Sequence, residues 1–521
     1  MNFLLNLLDY YHMSIDDLKR RENISSLDNL QLPYNYDGFK KVINRLETAI
    51  LKKEKIIIYG DYDFDGISST AILKRMFSSL AIDCGFFIPS RYHEGYGLNK
   101  NRIDEFKNKD YQLIICVDNG ISKIDEIKYA NSLNMDVVII DHHTITDNLP
   151  QTPYIFHQQI DKFIAYNCSA ASLCFFVSSY FRKKFDEYDV VLAGLAVLSD
   201  VMPLVHNNLI VLRNALFNIN NYKAGNLFEL ASSMIKAKTL TFDDLSTAII
   251  AQINAPGRVR TDSLSTNNVC RFLLDDKVTL KTKKYILDIN NAQNEKKEAI
   301  KKSNVLNSLV NEYCSVYLLD ALTGLSGLFA NLYMNKENKP IVIFSPLETD
   351  NEVLVGSIRV PNNYSLLPLI DNPKKYFISS GGHQNAMGLK IYKKDLLKFA
   401  TDFTMFVSTS KNEVIKNYIE ISIEELTYAN YLIYKRFEPF SFGFEKPLFK
   451  VTTDLHNLRR ISDKVSVINN DNLEGKITFF GDFKENKDDE TIYEFIGELK
   501  LESYYNKKTF SLISNSYSKI E

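Results

Sequence analysis

Ile56, Ile57 and Ile58 run directly into Tyr59-Gly60-Asp61-Tyr62-Asp63-Phe64-Asp65-Gly66, and this join limits what the chain can become. A short β-branched run reads as a strand covered on both faces. The two glycines bracket a turn that carries aspartates at alternate positions. Ser68, Ser69 and Thr70 then supply hydroxyl caps for a helix over 71–76. Strand, acidic turn and helix, in that order, is how an open α/β sheet presents ligands at the C-terminal ends of its strands. Carboxylates this close repel one another, so the turn is costly to fold unless a cation neutralises it. The plain alternative is a solvated acidic loop. A calcium loop is excluded, although D-x-D-x-D-G opens that pattern. The twelfth position counted from Asp61 is Ile72, where a bidentate glutamate is needed, and a strand stands where a helix should. What remains is a hard-metal site whose other ligands lie elsewhere in the chain.

Further apolar runs end in the same kind of residue. The run at 84–89 is a second strand, leading into the glycine-punctuated polar loop 90–98, Ser-Arg-Tyr-His-Glu-Gly-Tyr-Gly-Leu. The run at 112–117 ends at Asp118-Asn119-Gly120, and the run at 135–140 ends at Asp141-His142-His143. One such ending is an ordinary strand terminator. Endings of D-x-D, D-N-G and D-H-H together are not explained by turns. Residues 170–182 are helical, and the apolar helix over 190–200 carries Asp200 near its end. A lone aspartate there is ordinarily a cap; beside the other clusters it reads as a buried ligand.

Beyond this lobe, 252–258 is a turn presenting Arg258, and 281–312 reads as a long polar helix joining two lobes. A second α/β region runs to about residue 408 and contains Gly356-Ser357-Ile358-Arg359 and Gly381-Gly382-His383. Alternating segments at 448–452, 464–468, 475–480 and 493–499 predict a small β-barrel. Residues up to about 50 read as helical and peripheral. The 521 residues suffice for several domains, and the net charge of −2 leaves nucleic-acid binding to a local basic groove. Six scattered cysteines, without a C-x-x-C pair, read as reduced thiols of a cytoplasmic protein. The first residues read as an amphipathic helix and not a signal peptide, and no stretch approaches a membrane span.

The assembled donors are oxygen and imidazole only, which suits Mn²⁺ or Mg²⁺ better than structural zinc. There are carboxylates enough for two ions with one aspartate bridging. Two metals about 3.5–4 Å apart are a standard device for activating water against a phosphodiester.

In these motifs the chain resembles the DHH phosphoesterase superfamily and, within it, the RecJ-type single-strand-specific 5′→3′ DNA exonucleases. The landmarks are 60–66, 90–98, V-D-N-G at 117–120, Leu149-Pro150 after D-H-H, L-S-D-V-M-P-L at 198–204, I-N-A-P-G-R at 253–258, G-S-I-R at 356–359, G-G-H at 381–383 and P-F-S-F-G-F-E at 439–445. The resemblance implies an α/β fold. A parallel-sheet metal lobe and a smaller DHH-associated α/β lobe are joined by a long helix and followed by a C-terminal OB-type β-barrel. It sets an N-terminal helical segment at 1–50, the catalytic lobe at 51–217, a connecting segment at 218–313, the substrate-binding lobe at 314–408 and the OB-fold domain at 409–521.

Carried over by motif, Asp63, Asp65, Asp118, His142 and Asp200 are metal ligands for two Mn²⁺ or Mg²⁺ ions, with Asp118 bridging. Asp61 sits beside the metals and holds water or a ligand, and His143 faces the scissile phosphate. Arg91, Ser357 and Arg359 hold a 5′-phosphate, while Arg258 and His383 contact nucleic acid near the cut. Tyr493, Phe495, Tyr504 and Tyr505 are candidates for stacking in the barrel, the plain alternative being that they form its core. The implied reaction is hydrolysis of single-stranded DNA to 5′-mononucleotides in repair and recombination. The implied partners are single-stranded DNA, a single-strand-binding protein and a helicase, for a cytoplasmic monomer. The alternatives are a phosphodiesterase for oligonucleotides or cyclic dinucleotides, and a non-catalytic DNA-binding replication scaffold. Three places depart from the family pattern: Tyr59 replaces a metal-binding His, Leu322 replaces a His, and Phe156-His157-Gln158-Gln159 replaces an expected Asn-Pro.

Overall fold

The β-branched run forms β1 (Ile56–Tyr59), buried at every position. It pairs in parallel with β2 (Cys84–Phe87) and β3 (Leu113–Val117). Beyond β3 lie β4 (Asp136–Ile140) and β5 (Ile155–Phe156), also parallel, giving the order β2-β1-β3-β4-β5. Helices cover both faces, which is why β1 and β3 are continuous apolar runs. All three polar strand endings therefore lie at the C-terminal edge of one parallel sheet.

This computed structural model describes residues 3–145, 148–236, 238–259, 264–361, 363–410, 418–470, 474–481, 483, 485, 491–504 and 507–520. The chain divides into two compact units. One comprises Leu30–Met202 and Val211–Val414; the other comprises Met1–Asn29, Pro203–Ile210 and Ile415–Glu521.

The larger unit contains the parallel sheet and a second sheet. The helix expected over 281–312 is Leu280–Lys302, opened by a capping box of Thr279 and Thr282. It stops there because the chain turns into a strand, β6 (Asn304–Val310), paired with β7 (Ser315–Asp320). β8 (Ile341–Leu347), β9 (Asp350–Arg359), β10 (Phe377–His383) and β11 (Ala386–Tyr392) complete a six-stranded sheet in the order β10-β11-β9-β8-β7-β6. One face buries Phe344, Phe399 and Phe403 under the helix Leu396–Thr409, and the other packs the helix Ser326–Glu337.

The smaller unit holds a seven-stranded mixed sheet: β12 (Tyr418–Ser422), β13 (Leu448–Thr453), β14 (Leu458–Ser462), β15 (Val465–Asn469), β16 (Gly475–Phe480), β17 (Tyr493–Tyr504) and β18 (Lys507–Lys519). Its order is β12-β13-β17-β18-β16-β15-β14, and among the described residues no pairing joins β12 to β14 to close a ring. The N-terminal segment is not peripheral. Phe3, Leu7, Leu8 and Leu18 enter the core of this sheet beside Phe449 and Phe495, whereas Phe39, Val42 and Leu46 are buried in the larger unit. Tyr493 and Phe495, expected to stack on bases, are core residues at 2% and 0% exposure. The aromatic side chains of Tyr504 and Tyr505 lie outside the described residues. Among the described residues no helix is long and apolar enough to cross a membrane.

Candidate metal centre

The acidic turn is itself the start of a helix. Phe64–Ser79 begins with Asp63 as N-cap, its carboxylate accepting from the Gly66 N–H at 3.2 Å. The helix therefore starts well before the expected hydroxyl cluster, because an aspartate caps as well as a serine does. Gly66 is required there: a Cβ would stand 2.5 Å from the Asp61 backbone nitrogen. Asp65 points the other way and caps a different helix. Its two oxygens each accept at 2.7 Å, from the N–H groups of Ala170 and Ala171, at the start of Ala170–Arg182. The fully buried carboxylate is thereby fixed in orientation.

At the end of β3, Asp118 adopts a left-handed backbone, φ 60°. The Asn119 side chain donates to the carbonyls of Tyr59 at 3.1 Å and Val117 at 2.9 Å, stitching the ends of β1 and β3 together. At the end of β4, Asp141 accepts from the N–H of His142 at 2.8 Å and from Ile121 N–H at 3.0 Å. Asp200 is the C-cap residue of the helix Glu187–Ser199.

These elements bring the predicted ligands together. His142 Nε2 lies 3.2 Å from Asp118, 3.4 Å from Asp200 and 3.6 Å from Asp65. Three overlapping donor groups result, Asp65-Asp118-His142-Asp200, Asp61-Asp63-Asp118 and Asp118-His142-His143, each with donor atoms within 4.8 Å of one another. Asp118 belongs to all three. Asp61 belongs to the second of them, with Asp63 and Asp118. Asp61 Oδ1, Asp118 Oδ1 and His142 Nε2 are buried without a hydrogen-bond partner. Burial and mutual repulsion push the Asp61, Asp118 and Asp200 carboxyls well above their ordinary range, and Asp65 up to about 8. Burial holds His142 below its ordinary value, which keeps its ring neutral and able to coordinate. Orphaned hard oxygens and one imidazole, held together against repulsion, fit divalent Mn²⁺ or Mg²⁺.

Cations gather in the same unit. The Arg91 guanidinium lies over the Tyr62 ring at 4.3 Å, and its Nε is buried without a partner. Arg359 donates to Ser357 Oγ at 3.0 Å and to the Ile358 carbonyl at 2.8 Å. Burial and the neighbouring Arg91 push Arg359 down to about 10; burial, Arg91 and Arg359 do the same to Arg258. Burial is the larger cause of both shifts and the like charge adds to it, and an anion among the guanidiniums relieves the crowding. Lys296, on the interlobe helix, joins them at 8% exposure, pushed down to about 8 by burial and by Arg258. Among the described residues its Nζ donates to the Ala251 carbonyl alone, at 3.3 Å. The Gly327 backbone lies close against Ser357 and Arg359: a Cβ there would meet Arg359 Nη2 at 3.1 Å and Ser357 Oγ at 3.3 Å. The side chain of His383 lies outside the described residues.

The departures have local explanations. Tyr59 is a core residue beside Phe87 and Phe106, its hydroxyl donating to the Gly97 carbonyl at 3.1 Å. At Leu322-Thr323, the Thr323 N–H donates to the Glu348 carboxylate at 2.8 Å, so a side chain from the β8–β9 turn anchors this one. Sequence reasoning assigned nothing to Asp141, Tyr96 or Lys296. Asp141 could have been suspected as the first letter of D-H-H, and Tyr96 from its loop. The Tyr96 hydroxyl contacts the His143 ring at 3.2 Å and donates to the Asp118 carbonyl at 3.2 Å. Lys296 has no local signal in a helix full of lysines.

Residues 55–198 match the DHH family, N-terminal domain. Over 511 residues the chain is 23% identical to the single-stranded-DNA-specific exonuclease RecJ of Bacillus subtilis, covering 91% of this chain and 63% of that protein. The chain thus spans under two thirds of that relative's length. It is 24% identical over 483 residues to the protein of the same name from Haemophilus influenzae, covering 84% and 83% of the two chains. The crystal structure of RecJ from Thermus thermophilus in complex with Mn²⁺ has the same fold, with a TM-score of 0.80 at 18% identity over 100% of this chain and 76% of that one. Its Mg²⁺ complex gives 0.75.

Proposed function

We propose that this chain, a RecJ-type member of the DHH family, is a metal-dependent exonuclease that degrades single-stranded DNA 5′→3′ to 5′-mononucleotides in DNA repair and recombination. The observation that carries the reading is the membership of Asp118 in both of the donor groups that contain carboxylates of the 61–65 turn. Two divalent cations bound there, Mn²⁺ or Mg²⁺, supply water activation and charge neutralisation at a phosphodiester. Asp61, Asp63 and Asp118 would hold one, and Asp65, Asp118, His142 and Asp200 the other.

The chain's own residues do the rest. Asp141 keeps His143 protonated at neutral pH, so His143 donates to the phosphate or to the departing 3′-oxygen. Arg91, Ser357 and Arg359 bind the terminal 5′-phosphate, and Arg258 with His383 holds the strand near the cut. A planar guanidinium fork matches phosphate oxygens. The seven-stranded sheet adds sequence-tolerant contacts to the strand. A single-strand-binding protein and a helicase as partners, a monomeric state and a cytoplasmic location rest on the resemblance alone.

The test is purified protein with Mn²⁺ on end-labelled single strands, duplexes and dinucleotides. The expected result is mononucleotide release from the 5′ end of long single strands, abolished by chelation. Turnover confined to dinucleotides would instead make the chain an oligonucleotide phosphodiesterase, and binding without cleavage a scaffold.

A further inference from the structure

β4 ends at Ile140, so the ladder offers nothing to the backbone of His142 and His143. Both residues sit at a buried strand end where unpaired backbone groups are costly. Asp141 Oδ1 accepts from the His142 N–H at 2.8 Å and the His143 N–H at 3.3 Å. The carbonyls are held from the other side. Gln158 Nε2 donates to the His142 carbonyl at 3.2 Å, and His157 Nε2 donates to the His143 carbonyl at 2.9 Å. His157 Nδ1 in turn accepts from the Gln159 N–H at 3.2 Å and caps the turn Gln158–Asp161. A carbonyl can only accept and an N–H can only donate, so the ring is fixed as the neutral tautomer with its hydrogen on Nε2. Both side chains are fully buried. Gln158 leaves its own Oε1 buried without a partner, so the amide is oriented for that one donation.

We infer that His157 and Gln158 are positioning residues, a two-point clamp on the carbonyls of His142 and His143 that fixes where the two imidazoles stand. The inference rests on the metal-site reading of His142. The ring of His157 acts as a rigid spacer with an acceptor at one end and a donor at the other. A glutamine amide reaches the place of Nε2 and keeps the donation to the His143 carbonyl, while giving up the Nδ1 acceptor. Outer-shell partners of this kind change metal affinity or activity by about 10–100-fold when removed.

The experiment compares wild type with His157→Gln, His157→Phe and Gln158→Leu in the full chain. Three measurements are made: Mn²⁺ affinity by calorimetry, kcat and KM on single-stranded DNA, and amide hydrogen exchange of the metal-free segment 140–145. We expect His157→Gln within about threefold of wild type on all three, as the donation to the His143 carbonyl survives. We expect His157→Phe and Gln158→Leu to bind Mn²⁺ roughly 10–100-fold more weakly, to lose kcat with KM little changed, and to exchange the segment at least about tenfold faster. Gln158→Leu keeps the clamp testable if His157→Phe does not fold. Unchanged affinity and exchange in the folded variants would overturn the clamp, as would equal damage from Gln and Phe. If wild type binds no Mn²⁺, the metal reading fails and hydrogen exchange alone decides the clamp.

Discussion

Asp141 Oδ1 lies 2.7 Å from His143 Nδ1, an ion pair at the margin of the metal centre. Burial opposes the charge on His143, but the charge and hydrogen bond of Asp141 outweigh it and lift the imidazole from 6.5 to about 9. The folded value lies above the unfolded one. The stabilisation is therefore complete below about 6.5 and is lost as pH rises through about 9. Melting of the metal-free protein between those limits should decline with pH in wild type and decline less in Asp141→Asn. The alkaline limb of activity in the metal-loaded enzyme should move to lower pH in Asp141→Asn than in wild type. Identical slopes in the two proteins would remove Asp141 as the source of the charge.

Asp118→Asn should abolish hydrolysis while raising the melting temperature of the metal-free protein. Asparagine tolerates the left-handed backbone at φ 60°, which alanine does not, so the substitution isolates the charge. The remaining buried carboxylates lose a repelling neighbour, and all three donor groups lose a shared oxygen. Several kcal/mol of metal activation corresponds to about a hundredfold or more in rate. Activity within about tenfold of wild type would sink the two-metal assignment.

The strand ends were legible because their signals are local. A β-branched run followed by a polar terminator can be read without knowing the fold. That Asp65, Asp118, His142 and Asp200 converge follows only once the strands are parallel, since one sheet edge then collects every ending. The strand β6 was hidden because it is almost wholly exposed, so no alternation of burial separates it from the polar helix before it. The helix start at Phe64 was displaced because Asp63 does two jobs, capping and facing the metal centre. The clamp at His157 and Gln158 involves backbone carbonyls, which sequence does not display.

Arg359→Ala should cost about tenfold to a hundredfold in kcat/KM on 5′-phosphorylated single strands and much less on 5′-hydroxyl strands. Arg359 already shares a hydrogen bond with Ser357 and is crowded by Arg91, so an entering phosphate relieves repulsion and gains charge-assisted bonds at once. Such bonds contribute roughly 1.5–3 kcal/mol each. Equal losses on the two substrates would make Arg359 a general backbone contact, and the 5′-end pocket would have to be sought elsewhere.

Lys296→Met tests whether the cation set extends along the strand past the terminal phosphate. Methionine preserves the buried stem and removes only the charge. Lys296 Nζ meets one carbonyl at 3.3 Å and faces the field of Arg258, while Ser357 and Arg359 are in β9. If Lys296 neutralises an internal phosphate, affinity should fall on 5′-phosphorylated and 5′-hydroxyl strands alike. The slope of log K against log salt should also become shallower by about 0.7, the single-strand value for one lost phosphate contact. Burial and Arg258 bring the amine down to about 8, so the difference between wild type and variant should shrink as pH rises past that point. The measurement is fluorescence anisotropy of labelled single strands over a salt series at two pH values, with Ca²⁺ in place of Mn²⁺ to withhold cleavage. An unchanged slope would mean that Lys296 only braces the interlobe helix against Ala251.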